Sequence, residues 1–135
     1  MKAKKLFMGV FLLVAMMGCP SKKQTVQDVT PLEVAGLLRN DFAVLVDVRE
    51  KDEVADGMAV DAKWMPLSKI EAGDPAWQDF LKNLPKDKQI VFYCAAGARA
   101  GKVAAMVADK GFRTGNMGGF DDWAKAGLPV RKPGP

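Results

Sequence analysis

A chain of 135 residues that is 49% hydrophobic and 27% charged has room for one globular domain of ordinary size and none for a multidomain assembly. It contains no histidine, which excludes Ser-His-Asp and Cys-His nucleophile pairs and every histidine-ligated metal site; the two cysteines, Cys19 and Cys94, are too few for a thiolate zinc site or a disulfide framework. The formal net charge is +4, but three of the 20 basic residues, Lys2, Lys4 and Lys5, fall in the first five positions; without residues 1–18 there remain 17 basic against 16 acidic residues, and no nucleic-acid footprint survives.

The chain opens with that basic head, an apolar run from Leu6 to Met17, and small Gly18 before Cys19. The run is shorter than the roughly 20 residues a membrane-spanning helix needs, and the order of features is that of an export signal over residues 1–18. Gly18-Cys19 also resembles a bacterial lipoprotein signal, although Met16 and Met17 stand where Leu and a small residue are usual. That resemblance implies lipidation at Cys19 and a domain tethered to the membrane on the periplasmic side. Ordinary secretion with cleavage nearby and an uncleaved anchor are the alternatives. Residues 19–26 read as a polar tether and 27–135 as the folded domain.

Thr30-Pro31-Leu32-Glu33 has the form of a helix start, with Thr as N-cap, Pro in the first turn and Glu closing a capping box; the helix runs to about Asn40. Ala43 to Val46 and Gln89 to Tyr93 are short, continuously apolar, β-branched runs, as expected of strands buried on both faces of a parallel sheet. Weaker strands are expected at Lys63 to Met65 and Arg113 to Met117. Helices are expected at Pro75 to Asn83 with Asp74 as cap, at Ala98 to Lys110 with Val103, Met106 and Val107 inward, and at Phe120 to Ala126. This alternation predicts an α/β domain with a mainly parallel central sheet flanked by helices on both faces.

Cys94 follows the Gln89 to Tyr93 strand, at the carboxyl end where α/β sheets bind ligands. Ala95, Ala96, Gly97, Ala98 and Arg99 then lead into a helix; small residues there let successive backbone N–H groups turn inward into an anion-binding nest, which lowers the pKa of a thiol at its centre. The sequence from Gly97 to Lys102 is no phosphate-binding P-loop, since only three residues separate Gly97 from Gly101 and Val103 stands where Ser or Thr is required. Gly115, Gly118 and Gly119 lack dinucleotide-binding spacing. Phe120 and Trp123 read as core, and no cofactor or metal is implied.

Together these segments resemble the rhodanese (sulfurtransferase) family. Asp47-Val48-Arg49 is similar to its Asp-x-Arg motif, Glu53 to the acidic position that follows, Ala62 through Met65-Pro66-Leu67 to the segment entering the next strand and turn, Cys94-x-x-Gly97-x-Arg99 to its active-site loop, and Gly118-Gly119-Phe120-x-x-Trp123 to its C-terminal signature. The resemblance covers roughly residues 27–130. It implies that Cys94 takes up a sulfane sulfur as a persulfide from a small sulfur-containing anion and passes it to a thiol or cyanide-like acceptor, with the domain acting as a monomer. Asp47, Arg49 and Glu53 would be supporting residues. Arg99 is either a donor aimed into the loop or, as the favoured reading, a strut paired with Glu53 or Asp47, and Arg49 is either a solvated charge or a group reaching the site. The family usually has His, Phe or Tyr, and Gly where Met58, Val54 and Asp61 stand, and often basic or polar residues where Ala95 and Ala98 stand. A non-catalytic binding or redox-sensing module and a cysteine-dependent phosphatase are the other readings. Phosphatases of this fold place five residues between Cys and Arg, whereas four lie between Cys94 and Arg99.

Overall fold

The computed structural model describes Gly18 and residues 22–134. Cys19 and nearly all of the 1–18 head lie outside the described residues. Among the described residues no helix is long and apolar enough to cross a membrane.

Five strands form a parallel sheet: β1 (Val26–Asp28), β2 (Ala43–Asp47), β4 (Lys63–Trp64), β5 (Gln89–Cys94) and β6 (Thr114–Gly119), in the order β1-β6-β5-β2-β4. A separate antiparallel pair joins β3 (Met58–Ala59) to β7 (Val130–Arg131). The helices are α1 (Pro31–Arg39), α2 (Lys51–Val54), α3 (Leu67–Glu71), α4 (Pro75–Lys82), α5 (Ala98–Ala108) and α6 (Phe120–Lys125). Parallel strands need crossovers, and the helices that supply them cover both faces, so the central strands are apolar on both sides.

The pleat of β5 sorts its residues between two cores. Ile90, Phe92 and Cys94 join Val46, Ile70, Trp77, Val103 and Val107 on the α3–α4–α5 side. Val91 and Tyr93 join Val34, Leu45, Met58 and Trp123 on the α1–α6 side. β5 pairs with β2 in unbroken register from Ala43↔Gln89 to Asp47↔Tyr93, which brings the Asp47 and Cys94 ends of the two strands to the same edge of the sheet.

The cap of α1 is as expected: the Thr30 side chain accepts from the Glu33 N–H, and Glu33 accepts from the Thr30 N–H at 2.7 Å. Asp74 caps α4. Val103 and Val107 are buried and Met106 is half-buried. Differences from the sequence expectation lie in short elements. β1 begins at Val26, inside the stretch read as tether, and is held by pairing with β6 rather than by its own pattern, since Gln27 and Asp28 are exposed. α2, α3, β3 and β7 were not expected at all; each has five residues or fewer. β4 stops at Trp64, and α5 ends two residues before Lys110.

Candidate active site

The loop from Cys94 to Arg99 joins the end of β5 to the start of α5. Gly97 has φ +99°, a left-handed conformation that L side chains rarely adopt, and this turns the chain so that its N–H donates to Cys94 Sγ at 3.0 Å. Cys94 is 1% exposed. Burial pushes its thiol pKa up, but backbone N–H groups of Ala100, Ala96, Gly97 and Arg99 converge on the sulfur, and together they hold the pKa below its ordinary value. The cradle therefore extends one residue beyond the expected 95–99 loop.

The floor of the site depends on a close approach from β6. A Cβ on Gly119 would lie 2.3 Å from the Ala95 carbonyl oxygen, so only glycine lets the strand end pair with Cys94 while the loop passes over it. The rim is made of methyl groups: Ala95, Ala96 and Ala98 are exposed, while Gly97 and Ala100 are buried. A cleft of about 370 Å³ flanks the loop, lined by Thr30, Ala96, Gly97, Asn116 and Gly118 among others. A second cleft, of about 420 Å³, lies beside Ala43 and Asp61 at the amino ends of the strands, away from the sulfur.

Arg99 is a strut, and its partner is Glu53 rather than Asp47. Its two terminal nitrogens donate to the two Glu53 carboxylate oxygens at 2.7 and 2.6 Å. Glu53 also accepts from the Glu50 N–H at 2.9 Å, which fastens it within α2. The Arg99 hydrogen bonds lower the Glu53 pKa from 4.5 to about 2. Because the folded value is the depressed one, the stabilisation is present above pH 4.5 and is lost as pH falls through about 2. Both side chains are about one-third exposed, so the effect is modest and screened by salt. Wild type should unfold at higher denaturant than Glu53→Gln at neutral pH, and the gap should close between pH 4.5 and 2. A gap that ignores pH in that window would show that the pair is not what separates the two proteins.

Asp47 serves Arg49. The Arg49 Nε and one terminal nitrogen donate to the Asp47 carboxylate at 2.7 to 3.1 Å, and the Arg49 N–H donates to the same group at 2.9 Å. Two further N–H groups donate to the Gly57 carbonyl at 2.8 Å and the Glu53 carbonyl at 3.1 Å. The guanidinium lies 4.2 Å from the Phe120 ring centre and 5.6 Å from that of Tyr93. Tyr93 faces the α1–α6 core, opposite Cys94. Arg49 is thus neither a solvated charge nor a group reaching the site; it is 4% exposed and locks the carboxyl end of β2. Met58 and Val54, where the resemblance calls for His and an aromatic, are buried as apolar core.

A residue not singled out from sequence, Asn116, links β6 to the loop: its Nδ2 donates to the Gly97 carbonyl and its Oδ1 accepts from the Gly118 N–H, both at 3.0 Å. A lone Asn before a Gly pair reads as a turn residue, and only its place within a strand aimed at the loop distinguishes it. Among the described residues no cluster of His, Cys, Asp and Glu could hold a metal.

The rhodanese-like domain model matches residues 30–126. A sulfurtransferase from Allochromatium vinosum is 36% identical over 92 residues, covering 67% of this chain and 79% of that protein. Thiosulfate sulfurtransferase GlpE from Actinobacillus succinogenes is 25% identical over 105 residues, 76% of this chain and 88% of its own. The solved structure of a rhodanese-like domain protein from Staphylococcus aureus superposes with a TM-score of 0.61 at 28% identity, covering 78% of this chain and 99% of that one. With a family match that spans four of the five sheet strands, the Cys94 loop and the Gly118-Gly119 turn, the chain belongs to the rhodanese-like domain family.

Proposed function

We propose that the protein is a sulfurtransferase that carries a sulfane sulfur on Cys94. The observation that carries this reading is the sulfur atom at the base of a cradle of backbone N–H groups, with a lowered thiol pKa and no base beside it. The Cys94 thiolate attacks the terminal sulfur of a donor; an S–S bond forms at Sγ while the donor's own bond to that sulfur breaks, and the donor fragment leaves with the electron pair as sulfite or a shortened polysulfide. A thiolate or cyanide then attacks the outer sulfur of the persulfide, and the Cys94 thiolate departs into the same N–H groups that stabilised it at the start. Neither step needs a proton transferred by histidine, a metal or a redox cofactor. Relatives named as sulfurtransferases support this assignment.

The donor we favour is a polysulfide or persulfide over thiosulfate. Thiosulfate is a dianion, and within the 94–99 loop the one cation, Arg99, has its fork engaged by Glu53. Arg99 also interacts with Cys94, but it is shared with Glu53, and the rest of the mouth is lined by methyl groups that give a dianion no further charged partner to replace the water it sheds. Mass spectrometry of the purified chain after incubation with each donor should show one added sulfur on Cys94, sooner and at lower concentration with polysulfide. Ala95→Arg or Ala98→Lys should lower KM for thiosulfate by about tenfold at low ionic strength, a gain that fades with salt. No adduct with any donor would overturn the assignment. Wild type saturating at micromolar thiosulfate would overturn the donor preference alone.

The 1–18 head and Cys19 support an exported, lipid-anchored domain on the periplasmic side. Cys19→Ala should release the domain from the membrane fraction or leave an unprocessed precursor. Unchanged size and membrane binding would overturn lipidation.

A further inference from the structure

We propose that Asn116 is a positioning residue for the reaction at Cys94, its side-chain amide setting the orientation of the Gly97 turn from which backbone N–H groups converge on the sulfur. The proposal rests on the sulfurtransferase reading for the reaction it serves.

The Gly97 carbonyl has two acceptor sites, and both are filled: the Gly101 N–H donates to it at 2.9 Å and Asn116 Nδ2 at 3.0 Å. The first bond comes from within α5, the second from β6. Between them they fix the plane of the Gly97–Ala98 peptide. Just before that peptide in the chain is the Gly97 N–H, 3.0 Å from Sγ; just after it are Arg99 and Ala100, whose N–H groups also stabilise the thiolate.

The amide can hold only one orientation. Its oxygen accepts from the Gly118 N–H while its nitrogen donates to a carbonyl, and a flipped amide would set like groups against each other at both ends. Its backbone reference is rigid, because β6 pairs with β5 on one side and β1 on the other. Space is tight as well: a Cβ on Gly101 would come within 3.2 Å of Nδ2, and one on Gly97 within 3.2 Å of the Gly118 Cα. Asn116 therefore fills a tight gap between β6 and the start of α5 with a donor and an acceptor, each matched. An apolar residue of similar size would fill the gap and leave the Gly97 plane held from the helix side only.

The test follows Cys94 alkylation by iodoacetamide across pH in the full chain, with the pH profile of sulfur transfer beside it, for wild type, Asn116→Leu, Asn116→Ser and Asn116→Asp. Leu and Ser should shift both profiles to alkaline pH by about one unit, so that alkylation below the midpoint is about tenfold slower. Asp should shift them further, since it keeps the acceptor for Gly118 but turns a carboxylate oxygen toward the Gly97 carbonyl. Profiles that stay in place in a folded Leu or Ser variant, with only the melting temperature lowered, would reduce Asn116 to a structural residue and overturn the proposal. If Leu does not fold, Ser decides. Iodoacetamide requires no sulfur donor, so the two readings fail separately. A wrong role for Asn116 leaves wild-type sulfur loading intact, whereas a wrong chemistry leaves wild type without a sulfur adduct and the alkylation shifts still visible.

Discussion

Cys94→Ser should leave the fold in place and lower sulfur transfer by at least roughly three orders of magnitude, the scale on which removing a covalent nucleophile acts. Serine is smaller than cysteine by little, and its hydroxyl can still accept from the Gly97 N–H that now meets Sγ at 3.0 Å. What it lacks is an accessible anion. The converging N–H groups bring a thiol below its ordinary pKa, but a hydroxyl starts too high for the same cradle to ionise it near neutral pH. Nor can it form a persulfide. The only other cysteine in the sequence is Cys19. Steady-state turnover with polysulfide, together with circular dichroism, checks both halves of the expectation, and appreciable turnover in a folded Cys94→Ser protein would remove Cys94 from the mechanism.

The second large effect is on stability. Asp47→Ala should cost about 3–5 kcal/mol, because it leaves the Arg49 guanidinium buried with its countercharge gone. Arg49 is 4% exposed and Asp47 fully buried, so water cannot replace the lost carboxylate without opening the core between Phe120 and Tyr93. For a domain of this size that corresponds to a drop in melting temperature of about 10–20 °C. Asp47→Asn, which keeps the shape and one acceptor oxygen, should cost less. Equilibrium urea unfolding of the three proteins measures the difference, and a loss below about 1 kcal/mol in Asp47→Ala would mean that the two carbonyls of Gly57 and Glu53 suffice to hold Arg49.

The parts of this molecule that could be read from the sequence are those where one local pattern decides the structure. Leu45-Val46 and Ile90-Val91-Phe92 are buried because helices lie on both faces of their sheet, and a run without polar interruption is what such a strand requires. The Thr30-to-Glu33 box closes within four residues. The Cys94 loop is legible for the same reason: a thiol at a strand end, small residues and a helix are consecutive. What escaped is held by partners remote in sequence. β3 and β7 are two residues each and exist because Met58 meets Arg131 across the domain. α2 is too short to display a helical period. Asp-x-Arg states nothing about burial, so the sequence does not choose between solvent and site for Arg49; it is the packing of Phe120 and Tyr93 over the guanidinium that decides. Asn116 depends on a loop 19 residues away and has no signature of its own.

Glu53 belongs to both of the arginine arrangements. Its backbone carbonyl accepts from Arg49 and its carboxylate holds Arg99, from a helix of only four residues. A helix so short cannot persist alone in water and is ordered by what it grips. It grips the buried knot beneath it with one group and the reactive loop with another, so each is a condition for the other. Strand end, short helix and thiol cradle are thereby coupled through one residue. In a loosened chain Cys94 reverts to the acidity of a free cysteine. Its lowered pKa is thus a property of the completed fold.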